Sequence, residues 1–151
     1  MASFRGANSV SVDVKGRFAV PSKYRADLEK NTVVVTIDTE DNCLLMYSLS
    51  EWLDIEEKVD SLPSFNSVTR KVKRMLIGNA VELDLDSQAR LLLPKNLREY
   101  AFIDKKAVLV GQGKKFEIWS ADIWHKNCEK WSSESVLNSD YIPDELKALV
   151  L

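Results

Sequence analysis

The sequence predicts an α+β chain, mainly β, built from two tandem copies of one module with flanking helices. Three observations carry this. Residues 13–52 and 86–124 repeat one pattern: Asp13, Arg17, Pro21 and Arg25 return as Asp86, Arg90, Pro94 and Arg98, each shifted by 73 residues. Later landmarks shift by 72, since Tyr47, Ser48 and Trp52 return as Trp119, Ser120 and Trp124. One residue is lost in a turn, where a deletion is tolerated, and a repeat at this spacing marks a duplicated fold unit. Apolar residues alternate at period two ahead of each Asp, which is strand patterning. The expected boundaries are 4–62 for module one with its following helix and 63–78 for a linker helix. Module two with its helix takes 79–131, and 132–151 is a C-terminal tail.

The elements follow in order. From Ala7 to Asp13, Val10 and Val12 face one way and Ser9, Ser11 and Asp13 the other, as in a half-buried strand. Lys15-Gly16 turns the chain, because glycine accepts positive φ. Arg17 to Val20 resumes a short strand. Pro21 suits a helix start, where its fixed φ fits and its missing N–H is not needed. Ser22 to Lys30 then reads as a short helix. Val33-Val34-Val35 and Leu44-Leu45-Met46-Tyr47 are β-type runs around a turn cluster, Asp38 to Asn42. Ser48 and Glu51 have capping-box spacing, and Trp52, Ile55, Val59 and Leu62 share one helical face. Pro63 to Asn66 breaks the chain. A helix over Ser67 to Ile77 ends at Gly78, a C-terminal cap. Copy two repeats the order: strands Val81–Asp86 and Arg90–Leu93, then a helix Pro94–Tyr100. A hairpin of Ala107–Val110 and Phe116–Trp119 follows, around the glycine-rich turn Gly111 to Lys114. Trp124 marks a helix after copy two. Ser132 to Ser139 is weakly patterned, and Pro143 to Leu151 is either a last short helix or frayed.

Bulk properties narrow the function. Each copy offers only about forty core-forming residues, marginal for a domain alone, so mutual burial or further subunits are expected. A hydrophobic fraction of 45% and a charged fraction of 29% are ordinary for a globular protein. The first residues lack the apolar core of a signal peptide, and no apolar run reaches membrane-spanning length. Cys43 and Cys128 form no CxxC pattern, so free thiols in a reducing cytoplasm are expected. The net charge of −2 argues weakly against nucleic acid, but the charge is uneven. Residues 1–31 carry net +3, 32–60 net −7, 61–81 net +4 and 117–151 net −4. A polyanion responds to local potential, so one basic face suffices; the plainer reading is uneven solvated charge.

The candidate chemistry lies in Asp-x-x-x-Arg. Asp13 with Arg17, and Asp86 with Arg90, flank a turn, where a bidentate pair fixes loop shape. The plainer reading is a salt bridge stapling each loop. A guanidinium on such a loop also suits phosphate and guanine contacts. Copy one adds Lys15 where copy two has Gln88. On the linker helix, Arg70, Lys71, Lys73 and Arg74 form a basic face opposite Val68, Val72, Met75 and Leu76, the usual pattern of a surface helix. Catalytic constellations are thin. His125 is the one histidine and suits surface or packing. No metal-ligand spacing is present, no cofactor is called for, and Gly111 to Lys115 lacks the phosphate-loop spacing. Glu82, Asp84 and Asp86 read as paired or solvated acids. No enzyme activity is expected.

Several segments together resemble the bacterial MraZ family. They are Phe4-Arg5-Gly6-Ala7, Asp13-x-Lys15-Gly16-Arg17, Val20-Pro21, Cys43 to Tyr47 and Glu51-Trp52. Further along come Leu76 to Ala80, Asp86-x-x-x-Arg90, Leu109 to Gln112 and Phe116 to Trp119. The resemblance spans about residues 4 to 125, and the module also resembles the wider AbrB-type regulators. It implies tandem AbrB-like swapped-hairpin β-barrel modules and a ring-shaped homo-oligomer. It further implies binding to direct repeats in double-stranded promoter DNA of the division and cell-wall gene cluster. Repression of that cluster, including the chain's own gene, in the cytoplasm and at the nucleoid completes the expectation. By position, Arg5, Lys15 and Arg17 would face DNA, with Arg90 their copy-two counterpart. The pattern departs at Ala89, where the Asp-x-x-Gly-Arg motif has Gly: either Ala89 is strained at positive φ, or the loop differs. The alternative from another class is an oligomeric scaffold that does not bind DNA.

Overall fold

The computed structural model describes residues 3–28, 31–134 and 141–149. Copy one contributes β1 (Phe4–Ser11), β2 (Arg17–Ala19), α1 (Ser22–Arg25), β3 (Thr32–Ile37) and β4 (Leu44–Ser48). Helices α2 (Leu49–Asp60) and α3 (Ser67–Leu76) follow. Copy two contributes β5 (Val81–Asp84), β6 (Arg90–Leu92), α4 (Lys95–Tyr100), β7 (Lys106–Gly113) and β8 (Phe116–Ser120). Last come α5 (Ala121–Ser133) and α6 (Asp144–Lys147). The fold is α+β, with a six-stranded antiparallel sheet ordered β1-β7-β8-β4-β3-β5 and a separate two-stranded ribbon of β2 and β6. Residues to Ala121 form one compact unit and those from Asp122 a second.

Within the first unit the copies interleave. β1 lies along the copy-two hairpin β7–β8, and β5 lies along the copy-one hairpin β3–β4. Two pairings centre on equivalent positions. Phe18 opposes Leu91 in the ribbon, and Leu45 opposes Glu117 where β4 meets β8. An antiparallel pairing centred on equivalent residues places a local two-fold axis through it, so the repeats stand to each other as two subunits of an isologous pair. The symmetry is imperfect: β1 pairs over eight residues, β5 over four.

Burial explains the sheet. Val33, Val35, Leu44, Met46, Leu109, Phe116 and Ile118 belong to one core with Phe18 and Leu91 of the ribbon, Tyr24 of α1 and Leu97 of α4. On the other face of the sheet, Val34, Leu45 and Tyr47 cluster with Trp52 of α2. Both faces are covered, so β3 and β4 read as apolar runs without alternation. Thr36, inside β3, is fully buried, and its hydroxyl donates to the Leu76 carbonyl at 2.5 Å.

Several local expectations are corrected. β1 starts earlier than Ala7 because Phe4 packs on Phe116 and Tyr24, with ring centroids 4.2 and 5.9 Å away. α1 closes at Arg25, well short of Lys30, which lies outside the described residues. Ser48 does stand at the N-cap of α2, but it makes no capping hydrogen bond; its side chain is buried at the end of β4. Asn66 is the working cap: its Oδ1 accepts from the N–H groups of Val68 and Thr69 at 2.8 and 3.4 Å. Gly78 does not close α3 through a left-handed conformation. Its N–H donates to the Lys73 carbonyl at 3.2 Å, and the Arg74 carbonyl fills the place a side chain would take. The hairpin turn of copy two is Gly113-Lys114, with Gln112 N–H donating to the Lys115 carbonyl at 2.9 Å. In the second unit, Trp124 and Trp131 meet edge to face at 5.8 Å. Of the tail, 135–140 lie outside the described residues.

Candidate nucleic-acid interface

The ribbon register sets Arg17 opposite Leu92 and Ala19 opposite Arg90. Side chains alternate across a strand. Phe18 and Leu91 enter the core, so Arg17, Ala19, Arg90 and Leu92 share the outer face. The two arginines are diagonal neighbours there, about 7–8 Å apart in backbone terms. A 73-residue separation in sequence becomes one small surface.

Each arginine is aimed by its own loop. Asp13 Oδ1 accepts from the N–H groups of Lys15 and Arg17 at 3.0 and 2.9 Å, while Oδ2 accepts from Arg17 Nε at 2.8 Å. Copy two repeats this. Asp86 Oδ1 accepts from Gln88 and Arg90 N–H at 2.9 and 2.8 Å, and Oδ2 from Arg90 Nε at 2.8 Å. One carboxylate thus orders the turn and the guanidinium together. Because the ion pair uses Nε, it does not consume the terminal nitrogens of the fork, which suit a phosphate or the O6/N7 edge of guanine. The Arg17 backbone N–H, then the Arg17 side chain, hold the Asp13 carboxyl down to about 2. Asp86 is lowered too, foremost by the Arg90 backbone N–H. Both pairs keep about a third of their side-chain surface in water, where charge attraction alone is weak; the backbone bonds give the order.

The Ala89 departure is settled in favour of strain. Ala89 takes φ 57° where Gly16 takes 93°, and both loops close the same way. Gly16 N–H donates to the Asp13 carbonyl at 3.0 Å, Ala89 N–H to the Asp86 carbonyl at 2.9 Å. An alanine held left-handed costs roughly 1 kcal/mol. The loops are also tied across copies: Leu93 N–H donates to the Gly16 carbonyl at 3.0 Å, and Val20 N–H to the Ala89 carbonyl at 2.9 Å.

The structure brings Asp13, Lys15, Arg17, Asp86 and Arg90 to one ribbon and its loops, with Lys15 exposed on the turn. It sets Arg5 apart. Arg5 stands opposite Gln112 near the start of β1, and seven residues of extended chain, about 23 Å, separate it from Val12. Its carbonyl accepts from the Tyr24 hydroxyl at 2.6 Å. The basic face of α3 divides. Lys73 Nζ reaches the Leu62 carbonyl at 2.7 Å and Arg70 the Ser64 carbonyl at 2.9 Å, both closing the α2–α3 connection, while Lys71 and Arg74 are exposed. His125 is exposed on α5. Two residues escaped assignment: Arg25 and Arg98, each four places after its proline. Their Nε atoms donate to the Val20 and Leu93 carbonyls at 2.9 and 3.1 Å. Recurrence at the same repeat position was their only signal in the sequence.

Among the described residues no group of three or more His, Cys, Asp or Glu is placed to hold a metal ion, and no helix is long and apolar enough to cross a membrane. A family model described as "MraZ protein, putative antitoxin-like" matches residues 3–75 and 76–141. Similar proteins include the "Transcriptional regulator MraZ" of Legionella pneumophila (strain Corby), 44% identical, and that of Coxiella burnetii (strain Dugway 5J108-111), 46% identical. That of Pseudomonas putida (strain F1) is 48% identical. Each comparison covers 98% of this chain and 99% of the relative.

Proposed function

The chain belongs to the MraZ family, and we propose that it is a transcriptional regulator that reads double-stranded promoter DNA through the β2–β6 ribbon. The observation that carries this reading is the pair of arginines on one exposed ribbon face, each aimed by a carboxylate that also orders its turn. The major groove admits a two-stranded ribbon, and arginine is its commonest specific reader. Arg17 and Arg90 take base edges or phosphates, Lys15 a neighbouring phosphate, and Arg5 a phosphate farther along the backbone. The interleaving of the copies is that expected of an AbrB-like swapped-hairpin barrel, with two modules at 4–62 and 79–131 joined by 63–78 and followed by a tail, 132–151.

The finer reading extends to assembly and target. The chain forms a ring homo-oligomer on direct repeats, represses the division and cell-wall gene cluster including its own gene, and resides in the cytoplasm at the nucleoid. A ring presents the same ribbon again at each subunit, so repeats about one helical turn apart meet several weak modules in succession. Weak modules in series reconcile a net charge of −2 with useful affinity. The test is to sequence the DNA bound to the chain in cells. Enrichment of short direct repeats upstream of that cluster supports the reading; a genome-wide profile without enriched sites overturns it.

A further inference from the structure

Arg98 belongs to α4 of copy two, yet it lies on the turn of copy one. A Cβ built on Gly16 would stand 2.5 Å from Arg98 Nε, 2.7 Å from Cζ and 3.0 Å from Cδ. The guanidinium therefore covers the Gly16 backbone at contact distance. The same Nε donates to the Leu93 carbonyl at 3.1 Å, and Leu93 N–H donates to the Gly16 carbonyl at 3.0 Å. Arg98 is half-buried and lines one cleft with Val12, Asp13 and Val14. One side chain thus joins the strand before Pro94 to the turn that holds Lys15 and Arg17.

Copy two offers no such seat. Arg25 makes the equivalent bond, to the Val20 carbonyl, and Val20 N–H in turn donates to the Ala89 carbonyl. Ala89, however, carries a methyl group where Gly16 has none, and Arg25 is exposed where Arg98 is half-buried. A methyl at this position and a guanidinium lying flat on it exclude each other sterically.

We infer that Arg98 is a positioning residue: from copy two it holds the Lys15–Arg17 turn of copy one in the geometry that reads DNA, and Gly16 supplies its seat. This rests on the ribbon's reading of DNA. Arg98 acts through the turn, not through a contact of its own, so its loss misplaces a contact without deleting a charge from the interface. Gly16 is then required for the missing Cβ as well as for its φ of 93°.

The experiment compares wild type, Arg98→Ala, Gly16→Ala and the double variant on a labelled duplex spanning the region upstream of the chain's own gene. Ala89 holds a left-handed φ at the matching position, so the loop accepts alanine, and Gly16→Ala adds φ strain to the lost contact; Arg98→Lys, which keeps the charge without the planar guanidinium, keeps the test open if Arg98→Ala fails to fold. Each single change is expected to weaken binding by about tenfold, the scale of a loosened supporting shell. The slope of log affinity against log salt should match wild type, because no phosphate contact is lost. The double variant should bind no worse than the weaker single, since both changes remove one contact. In the free protein, amide exchange at Arg17 should quicken in every variant. Wild-type binding that Arg98→Ala leaves unchanged, losses that add, or a slope lowered by about one contact each overturn the positioning role while the DNA reading stands. A wild-type chain that fails to bind any duplex removes both.

Discussion

Asp13 and Asp86 work through backbone N–H groups as much as through charge, and this sets their pH dependence. Asp13 has a carboxyl pKa near 2 when folded, below its ordinary value. A depressed acid contributes order above its unfolded value, about 4, and that order is lost as pH falls through the folded value. The Arg17 N–H and Nε resonances should therefore hold from neutral pH to about 4 and move only towards pH 2; movement centred near 4 would deny the depression. Arg17→Ala should leave the fold intact and cost roughly 1–3 kcal/mol of DNA binding per site. Binding as tight as wild type in a gel-shift titration would sink that assignment. Asp13→Asn should weaken binding less, because the acid orders the loop and cannot attract phosphate. If it instead unfolds the chain at ordinary temperature, the residue is a core staple. Ala89→Gly relieves a left-handed alanine but adds chain entropy, so a gain of up to about 1 kcal/mol is expected in denaturant unfolding; a net loss larger than that entropy, about 1 kcal/mol, would show that Ala89 is packed, not strained. The repeated Asp and Arg were legible in the sequence. The seat of Arg98 on Gly16 was not, because it depends on a contact between copies.

At the scale of elements, local chemistry marked most strands and helices but not how they pair. Alternation marked the middle of β1 and all of β5, though β1 runs from Phe4 to Ser11 and not from Ala7 to Asp13, and the glycine-bearing turns were read correctly in kind. Nothing local states that β1 joins β7 or that Arg17 and Arg90 share a face, because register is fixed by which faces are buried after the chain folds. The capping of α2 and α3 shows the same limit. Ser48 had the right spacing, yet its hydroxyl meets Ser50 Oγ at 3.5 Å and no backbone N–H of α2, while Asn66 in the apparent break makes both cap bonds. Asn66→Ala should accordingly cost about 1 kcal/mol in chemical denaturation. Ser48→Ala should lose no cap contribution, and a larger loss at Ser48 than at Asn66 would reverse the assignment.

At the scale of the molecule, two unequal copies form one pseudo-symmetric unit and still leave apolar surface in water. Phe65 and Val68, at the α2–α3 connection and the start of α3, are 93% and 67% exposed, and Leu53 of α2 is also exposed. Such surface favours association, and unequal copies favour a head-to-tail contact, which closes into a ring when the rotation permits. Light scattering coupled to size exclusion should find a closed homo-oligomer larger than a dimer; a monodisperse monomer at micromolar concentration would remove the ring and the avidity built on it. At the centre stands DNA binding by the two-arginine ribbon, as proposed. Its most direct test is the affinity of wild type and of the Arg17→Ala/Arg90→Ala variant for labelled promoter duplex across a salt series. Wild-type affinity should fall steeply with salt, with a slope of about −0.9 per phosphate contact, and the variant should give a weaker, flatter line. Affinity indifferent to salt, or a variant line that overlays wild type, would contradict it and favour a scaffold that does not touch DNA.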